Sequence, residues 1–398
     1  MPSITNIVEL FQRLESRDLI VHQQRCVRVR NRNATCSRCA DACTSHCISV
    51  EGNEISVNAS NCIGCGTCAT ACPTCAIEAR NPTDTSLLDT SCAVLAAAEG
   101  EVVIAAQQIV DEAHGLIDLS RIVVVSNLGR VEEGLLLELA RRGATQITLV
   151  QPREVSPANE AGLRMAEQVC ETARALIECW GLPTRVVISE KFPASVRKSD
   201  EKHAEVYDEE KRQFFENMRE QASDVANVSA TYALDNVFNK EPTTPLASLK
   251  VTDDGTLPHF IPERRERLLD TLAAIGEPAD ELIETRLWGH VIDADKCKGC
   301  RMCATFCPTA ALFKYTDEDD PTNTGVEHAP ADCVKCRCCA DICPAQAITI
   351  SNEVFARDLL AGGVERYPMG PEAAMRTNPK SIVTAFKKLV DDPYIYER

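Results

Sequence analysis

Four dense cysteine runs, set as one pair near each end of the chain, constrain what it can fold into more than any other feature. They read Cys36-Ser-Arg-Cys39-Ala-Asp-Ala-Cys43, Cys62-Ile-Gly-Cys65-Gly-Thr-Cys68-Ala-Thr-Ala-Cys72-Pro73, Cys297-Lys-Gly-Cys300-Arg-Met-Cys303-Ala-Thr-Phe-Cys307-Pro308 and Cys333-Val-Lys-Cys336-Arg-Cys338-Cys339-Ala-Asp-Ile-Cys343-Pro344. Three are complete C-x2-C-x2-C-x3-C-P strings. The first lacks its leading cysteine, because Asn33 stands three places before Cys36, and Thr44 replaces the closing proline. Structural zinc is held by two separated pairs of cysteines, not by four thiols in one run that closes on proline. With aromatic residues at only 5%, small domains nucleated by whatever the thiols hold fit better than one large aromatic core.

A secreted disulfide scaffold would also be rich in cysteine. The length of 398 residues and the start Met1-Pro-Ser-Ile-Thr-Asn-Ile-Val-Glu-Leu, with no basic start and apolar stretch, argue for a reducing compartment instead. The most apolar region, Ala93–Val110, is interrupted by Glu99, Gly100 and Glu101, so direct membrane insertion is not expected. The expected location is the cytoplasm, with any membrane contact made through a partner. A formal charge of −17 disfavours nucleic acid, which needs a basic face, and suits a partner with a basic patch.

Hydrophobic periodicity divides the chain further. Residues 1–22 read as an amphipathic helix carrying Ile4, Ile7, Val8, Phe11 and Leu14, followed by the cysteine module 23–80. Within it, Ile48–Val57 alternates around Gly52-Asn53, a hairpin signal. From 101 to 190 the pattern changes to strands Glu101–Ala106, Arg121–Ser126, Gln146–Val150 and Arg185–Glu190, with helices over Val131–Arg142 and Asn159–Trp180. Strands alternating with helices of this length predict a parallel sheet. Residues 191–287 read as a charged helical linker with helices Glu205–Gln221 and Pro262–Ile275 around the Pro/Thr-rich Glu241–Pro245. The second cysteine module spans 288–351, and the tail 352–398 ends in a predicted helix, Lys380–Val390. The expected class is α+β multidomain: two cysteine modules flanking an α/β insert with helical linkers.

The spacing and closing prolines resemble the bacterial dicluster ferredoxins, across 23–80 and 288–351. In that family the fourth cysteine of each run serves the other cubane of the pair. The resemblance implies ferredoxin-like folds, four [4Fe–4S] clusters and a ligand set. One C-terminal cluster takes Cys297, Cys300, Cys303 and Cys343, and its neighbour takes Cys333, Cys336, Cys339 and Cys307. One N-terminal cluster takes Cys62, Cys65, Cys68 and Cys43. The other takes Cys36, Cys39 and Cys72, and its fourth ligand is open. Cys26, on an expected strand Arg25–Arg30, is favoured. Cys47, four places after Cys43 where the family carries alanine, is the alternative, as are a non-cysteine ligand or a three-iron form. Pro308 and Pro344 end the cluster loops, and Gly299 allows close approach of backbone. Cys75, Cys92, Cys170, Cys179 and Cys338 are expected as buried free thiols.

Val125-Ser-Asn-Leu-Gly-Arg-Val-Glu-Glu-Gly134 and Gly143-Ala-Thr-Gln-Ile-Thr-Leu-Val150 resemble the iron–sulfur delta subunit found with methyl-viologen-reducing hydrogenases and heterodisulfide reductases. That family holds a binuclear cluster where this chain has Ala105–Gln108, Ser126-Asn127 and Gln151-Pro152-Arg153, so a docking or spacing role is implied here. Gly129 lacks the company a nucleotide loop needs. The seven histidines are scattered, and none is expected to bind iron. The expected role is a polyferredoxin-type electron-transfer subunit, non-catalytic in itself. By resemblance its partners are hydrogenase, formate dehydrogenase, aldehyde-oxidoreductase or heterodisulfide-reductase-like proteins. The alternatives are a freely diffusing carrier and an iron–sulfur enzyme of the radical-SAM type, the latter from Cys68-x3-Cys72-x2-Cys75.

Overall fold

The computed structural model describes residues 18–51, 53–113, 115–157, 159–198, 256–293, 296–360 and 362–369. It is a mixture of helices and sheets organised around one parallel sheet. The strands run in the order Ile122–Val125, Glu101–Ala106, Gln146–Val150, Arg185–Ser189, and every neighbouring pair is parallel. All four lie within a residue of the strands expected from sequence. The central strand Glu101–Ala106 is apolar almost throughout because both its faces are covered. Val102 and Ile104 enter one core with Leu136, Leu139 and Leu149; Val103 and Ala105 enter another with Ile109, Ile117 and Phe192. Helices Asp84–Ala97, Glu133–Arg141 and Glu160–Cys179 supply the first core. Helix Asp84–Ala97 was not read from sequence; Thr83 caps it, its hydroxyl oxygen accepting from the Ser86 amide at 3.1 Å.

Helix Glu263–Ile275 belongs to this same unit. Leu268 and Leu272 are in its core, and the Trp180 indole donates to the Leu272 and Gly276 carbonyls at 3.1 and 3.0 Å. The rest of the expected charged linker is not all helix. Leu282–Glu284 is a strand, paired antiparallel with Glu353–Phe355. The expected helices Glu205–Gln221 and Lys380–Val390, the segment Glu241–Pro245, and the apolar positions of the expected N-terminal helix lie outside the described residues. The exit of that helix is a strand, Leu19–Val21, paired with Ile77–Ala79.

In the first cysteine module, Ile48–Glu51 and Glu54–Val57 form the expected hairpin. The expected strand Arg25–Arg30 is not there. Gln23–Arg25 is a 3-10 turn and Val27–Arg30 a single helical turn, with Cys26 between them as its N-cap. Val27 and Val29 explain the difference. A strand would aim both to one face, but Val29 packs in the core of its own module while Val27 reaches a second core shared with the other module. The 100° step of a helix permits this and the two-residue repeat of a strand does not.

The second module pairs His290–Asp293 with Ile348–Ser351 and carries short helices Met302–Phe306 and Cys338–Ile342. An additional sheet joins Leu312–Thr316 and Thr324–His328, from the interval between its two runs, with Glu365–Met369 from beyond the second. The two modules touch. Val27 and Ala34 of the first pack with Phe306, Cys338 and Ile342 of the second. The Thr35 amide and hydroxyl donate to Asp341 at 2.8 and 3.0 Å, and Arg38 donates to the Lys335 carbonyl at 2.9 Å.

Candidate metal centres

In three of the four runs the short helix that follows the leading thiols begins from a left-handed residue. Gly66 (φ 73°) precedes Thr67–Ala71, Arg301 (φ 57°) precedes Met302–Phe306, and Arg337 (φ 67°) precedes Cys338–Ile342. That bend gathers the early thiols of a run into a loop. The helix then carries the chain to the last cysteine on the far side of the module. The first run starts differently, from Ser37 (φ −125°).

The sulfurs stand in one another's neighbourhoods. Cys68 is raised in pKa by burial and then by Cys65, Cys43, Cys39 and Cys62. Cys39 is pushed up to about 12 by burial and then by Cys72, Cys26 and Cys36. Cys303 is raised by burial and by Cys300, Cys297 and Cys343. Cys339 is raised by burial and by Cys336, Cys333, Cys307 and Cys303. These neighbourhoods accommodate the sets expected from sequence, Cys43/62/65/68, Cys26/36/39/72, Cys307/333/336/339 and Cys297/300/303/343, with Cys39 also near Cys68 and Cys303 also near Cys339. Cys26 is a neighbour of Cys39, together with Cys72 and Cys36. The Cys47 sulfur stands 3.4 Å from that of Cys43, in the neighbouring set.

Four thiols are the donor set that a cubane requires. Among the described residues, no three His, Cys, Asp or Glu side chains close on a single metal ion. Thiolates around a cubane stand farther apart than that, because iron and sulfide lie between them. Backbone amides already point at several sulfurs. Ala76 donates to Cys72 at 3.2 Å, Ala347 to Cys343 at 3.3 Å and Gly299 to Cys297 at 3.4 Å. Amide donors of this kind stabilise negative charge on sulfur and tune a cluster's potential. A cavity lined by Cys307, Cys333, Cys336 and Cys339 is bordered also by the apolar Val291, Leu312 and Ile350. The residues present fit the group that their spacing implies.

Within each module the expected sets approach one another. Cys39 of one group is close enough to influence Cys68 of the next, and Cys303 likewise influences Cys339. Between the modules, Cys36 and Cys336 both pack on the shared core of Val27, Ala34, Phe306, Cys338 and Ile342. Arg30, 5% exposed, crosses the same junction. It donates to the Pro258 carbonyl at 2.7 Å and lies over the Phe260 ring. Burial lowers its pKa while Cys338, Cys307 and Cys336 work in the opposite direction.

Cys75 ends the Cys68-x3-Cys72-x2-Cys75 string. It is 4% exposed, with Cys72 and Arg264 as neighbours. Cys170 and Cys179 are buried in the α/β core, and Cys338 in the junction, where the Asn31 amide group donates to it at 3.8 Å. Sequence reasoning passed over His328. Its ring is fully buried, with Nδ1 3.9 Å from Glu365. Burial would lower its pKa, but Cys333 and Glu365 outweigh that and raise it to about 9. No cysteine spacing flags a histidine on a neighbouring strand, so local sequence carried no signal for it.

The α/β unit is fastened to the first module by a buried network of charges. Arg264 Nε lies 2.5 Å from Glu132 and 3.5 Å from Asp84, and Arg264 also donates to the Ala69 carbonyl at 2.9 Å. Arg130, 2% exposed, pairs with Asp84 at 2.5 Å. Burial opposes the Asp84 charge, yet Arg264, Arg130 and Arg267 overcome it and hold its pKa below the usual carboxylate range. Gly129 lies against Thr67 and Gly162, so three elements meet with no side chain between them. Among the described residues, no helix is long and apolar enough to cross a membrane.

Residues 296–347 match the family described as a 4Fe-4S dicluster domain, and residues 54–74 match a 4Fe-4S binding domain. Neither match reaches the parallel-sheet segment, so the resemblance to the delta subunit gains no support. Comparison with curated proteins and with solved structures finds no match. The chain is thus dicluster-ferredoxin-like, with 4Fe–4S ferredoxin-type domains and, through them, an iron–sulfur electron-transfer role.

Proposed function

We propose that this chain relays single electrons through four [4Fe–4S] clusters arranged as one series, as a polyferredoxin-type subunit of a larger cytoplasmic redox complex. Cys43, Cys62, Cys65 and Cys68 would hold one end cluster, and Cys297, Cys300, Cys303 and Cys343 the other. Cys26, Cys36, Cys39 and Cys72 would hold the first inner cluster, and Cys307, Cys333, Cys336 and Cys339 the second. When bound, the clusters supply reversible one-electron chemistry. The protein's own residues hold them, exclude water and set their charge environment. The observation that carries this reading is the continuity of the four thiol groups, above all the packing of Cys36 and Cys336 on one buried core.

Both ends of the series are accessible. Cys297 is exposed at one, and Ile63, beside Cys62, is 50% exposed at the other. Such ends suit two different redox proteins, of the hydrogenase, formate dehydrogenase, aldehyde-oxidoreductase or heterodisulfide-reductase-like kinds. The α/β unit, docked on both modules by Arg264 and by Trp288, serves to fix their relative position.

The test is anaerobic purification from the native source, with iron and acid-labile sulfide counts and electron paramagnetic resonance of the reduced form. About sixteen irons per chain and magnetic interaction among the clusters are expected. Markedly fewer irons, or clusters that behave independently, would defeat the series. Elution of the native protein as a lone 43.6 kDa chain would favour the freely diffusing carrier over the fixed subunit.

A further inference from the structure

We infer that Cys43 and Cys47 are interchangeable fourth ligands of the end cluster whose other ligands are Cys62, Cys65 and Cys68. This rests on the function proposed above. The two sulfurs are 3.4 Å apart, and both side chains are buried, at 7% and 5% exposure. One position on a cluster therefore has two thiols within reach.

The repeat explains how the second thiol comes to be there. After the last cysteine of each run, the chain makes the same turn. The residue three places on is left-handed in all four runs: His46 (φ 49°), Cys75 (φ 47°), Ala310 (φ 57°) and Gln346 (φ 49°). The next residue then comes back against the thiol group. In three runs that residue is an alanine, Ala76, Ala311 or Ala347, each 1–2% exposed. For Ala76 and Ala347 the approach is close enough that the amide donates to the sulfur of the run's last cysteine, at 3.2 and 3.3 Å. In the first run the equivalent residue is Cys47. A thiol on that β-carbon stands where the other runs carry an alanine methyl, and Ala76 and Ala311 each share a buried core with cysteines of their modules.

The surroundings let either sulfur serve. The Ser45 hydroxyl is 3.5 Å from the Cys43 sulfur. Cys47 is held in place by its carbonyl, which accepts from the Asn58 amide at 2.8 Å, just ahead of strand Ile48–Glu51. This run also lacks the proline that closes the other three, since Thr44 follows Cys43. Its turn is thus free of the ring that fixes φ elsewhere. One sulfur would hold iron as thiolate while the other keeps its proton.

The experiment uses the full chain, purified anaerobically as wild type, Cys43→Ala, Cys47→Ala, the double variant and Cys68→Ala. Iron and sulfide are counted, and electron paramagnetic spectra of the reduced proteins are compared. Each single variant at the 43/47 pair should keep the wild-type iron content, with a small shift in the signal of that one cluster. The double variant should lose about four irons, as should Cys68→Ala. If Cys43→Ala alone loses four irons or more, Cys47 is not a ligand and the inference fails. The same loss in Cys47→Ala alone also overturns it. A wild-type protein without clusters would instead refute the electron-relay reading itself, so the two failures are distinct.

Discussion

Arg264 is the sharpest test of how the α/β unit holds the first cysteine module. Its guanidinium sits 2.5 Å from Glu132, 3.5 Å from Asp84 and 2.9 Å from the carbonyl of Ala69, on the helix between Cys68 and Cys72. In Arg264→Met the side chain keeps its length but loses its charge. Among the described ion pairs, Glu132, 8% exposed, then keeps Arg267 at 3.7 Å, itself 38% exposed, with Arg130 acting on it from farther off. Removing one partner of a buried pair costs about 3–5 kcal/mol, because the other charge remains buried without compensation. Both tryptophans of the chain, Trp180 and Trp288, lie in the adjoining core, so intrinsic fluorescence reports unfolding of this unit. With a urea dependence of about 2 kcal/mol per molar, the midpoint should fall by about 1.5–2.5 M. Glu132→Gln in the same background should recover part of that loss. The two substitutions share one contact, so they should couple by about 1–3 kcal/mol rather than add. A midpoint shift of only a few tenths molar, or strict additivity, would mean that water screens the network as it does a surface pair, and the reasoning would fail.

Three further outcomes follow from the same geometry. Cys26→Ala should cost about four irons, whereas Cys47→Ala should leave the inner N-terminal cluster intact; iron counts on the two variants decide it. Leu136→Ala, at a fully buried position of the main core, should destabilise the α/β unit by about 2–5 kcal/mol, read from the tryptophan transition in urea. Gly129→Ala would bring its methyl 2.5 Å from the Thr67 hydroxyl oxygen and 2.6 Å from the Gly162 Cα. It should therefore cost about 1–3 kcal/mol by forcing that junction apart, visible as faster proteolysis between the module and the sheet.

What the sequence disclosed and what it hid divide along the line between local and distant causes. A cubane's demand for three thiols in one loop is met within eight residues, so those runs are legible on sight. The parallel strands are legible too, because burial on both faces makes Glu101–Ala106 and Ile122–Val125 apolar without alternation. Arg25–Arg30 misled because arginine alternating with valine imitates a half-buried strand. Its valines alternate for another reason: they serve two different cores. Helix Asp84–Ala97 was missed because its apolar residues merge with the following strand into one continuous stretch, and the boundary at Glu99-Gly100 reads as a mere interruption. His328 could not be found at all, since its approach to Cys333 depends on how strand Thr324–His328 packs on a loop.

The contact between the modules is the most distant of these effects and the one on which continuity depends. Asn31 and Cys338 are separated by 307 positions, and nothing in either run says that they meet. The meeting follows from what lies between. Helix Glu263–Ile275 packs in the α/β core through Leu268 and Leu272, while its first turn sends Arg264 to Ala69 of one module and Arg265 over Trp288 beside the other. Arg265, 6% exposed, has no carboxylate in direct contact among the described ion pairs; the Trp288 face at 4.5 Å and the Leu287 carbonyl at 2.8 Å receive it instead. Consecutive arginines on one helix turn thus reach toward different modules, a divergence that a 100° step permits. Cysteine spacing sets where the thiols of each run gather, but two adjacent cationic side chains on an unrelated helix help to determine whether the two modules meet.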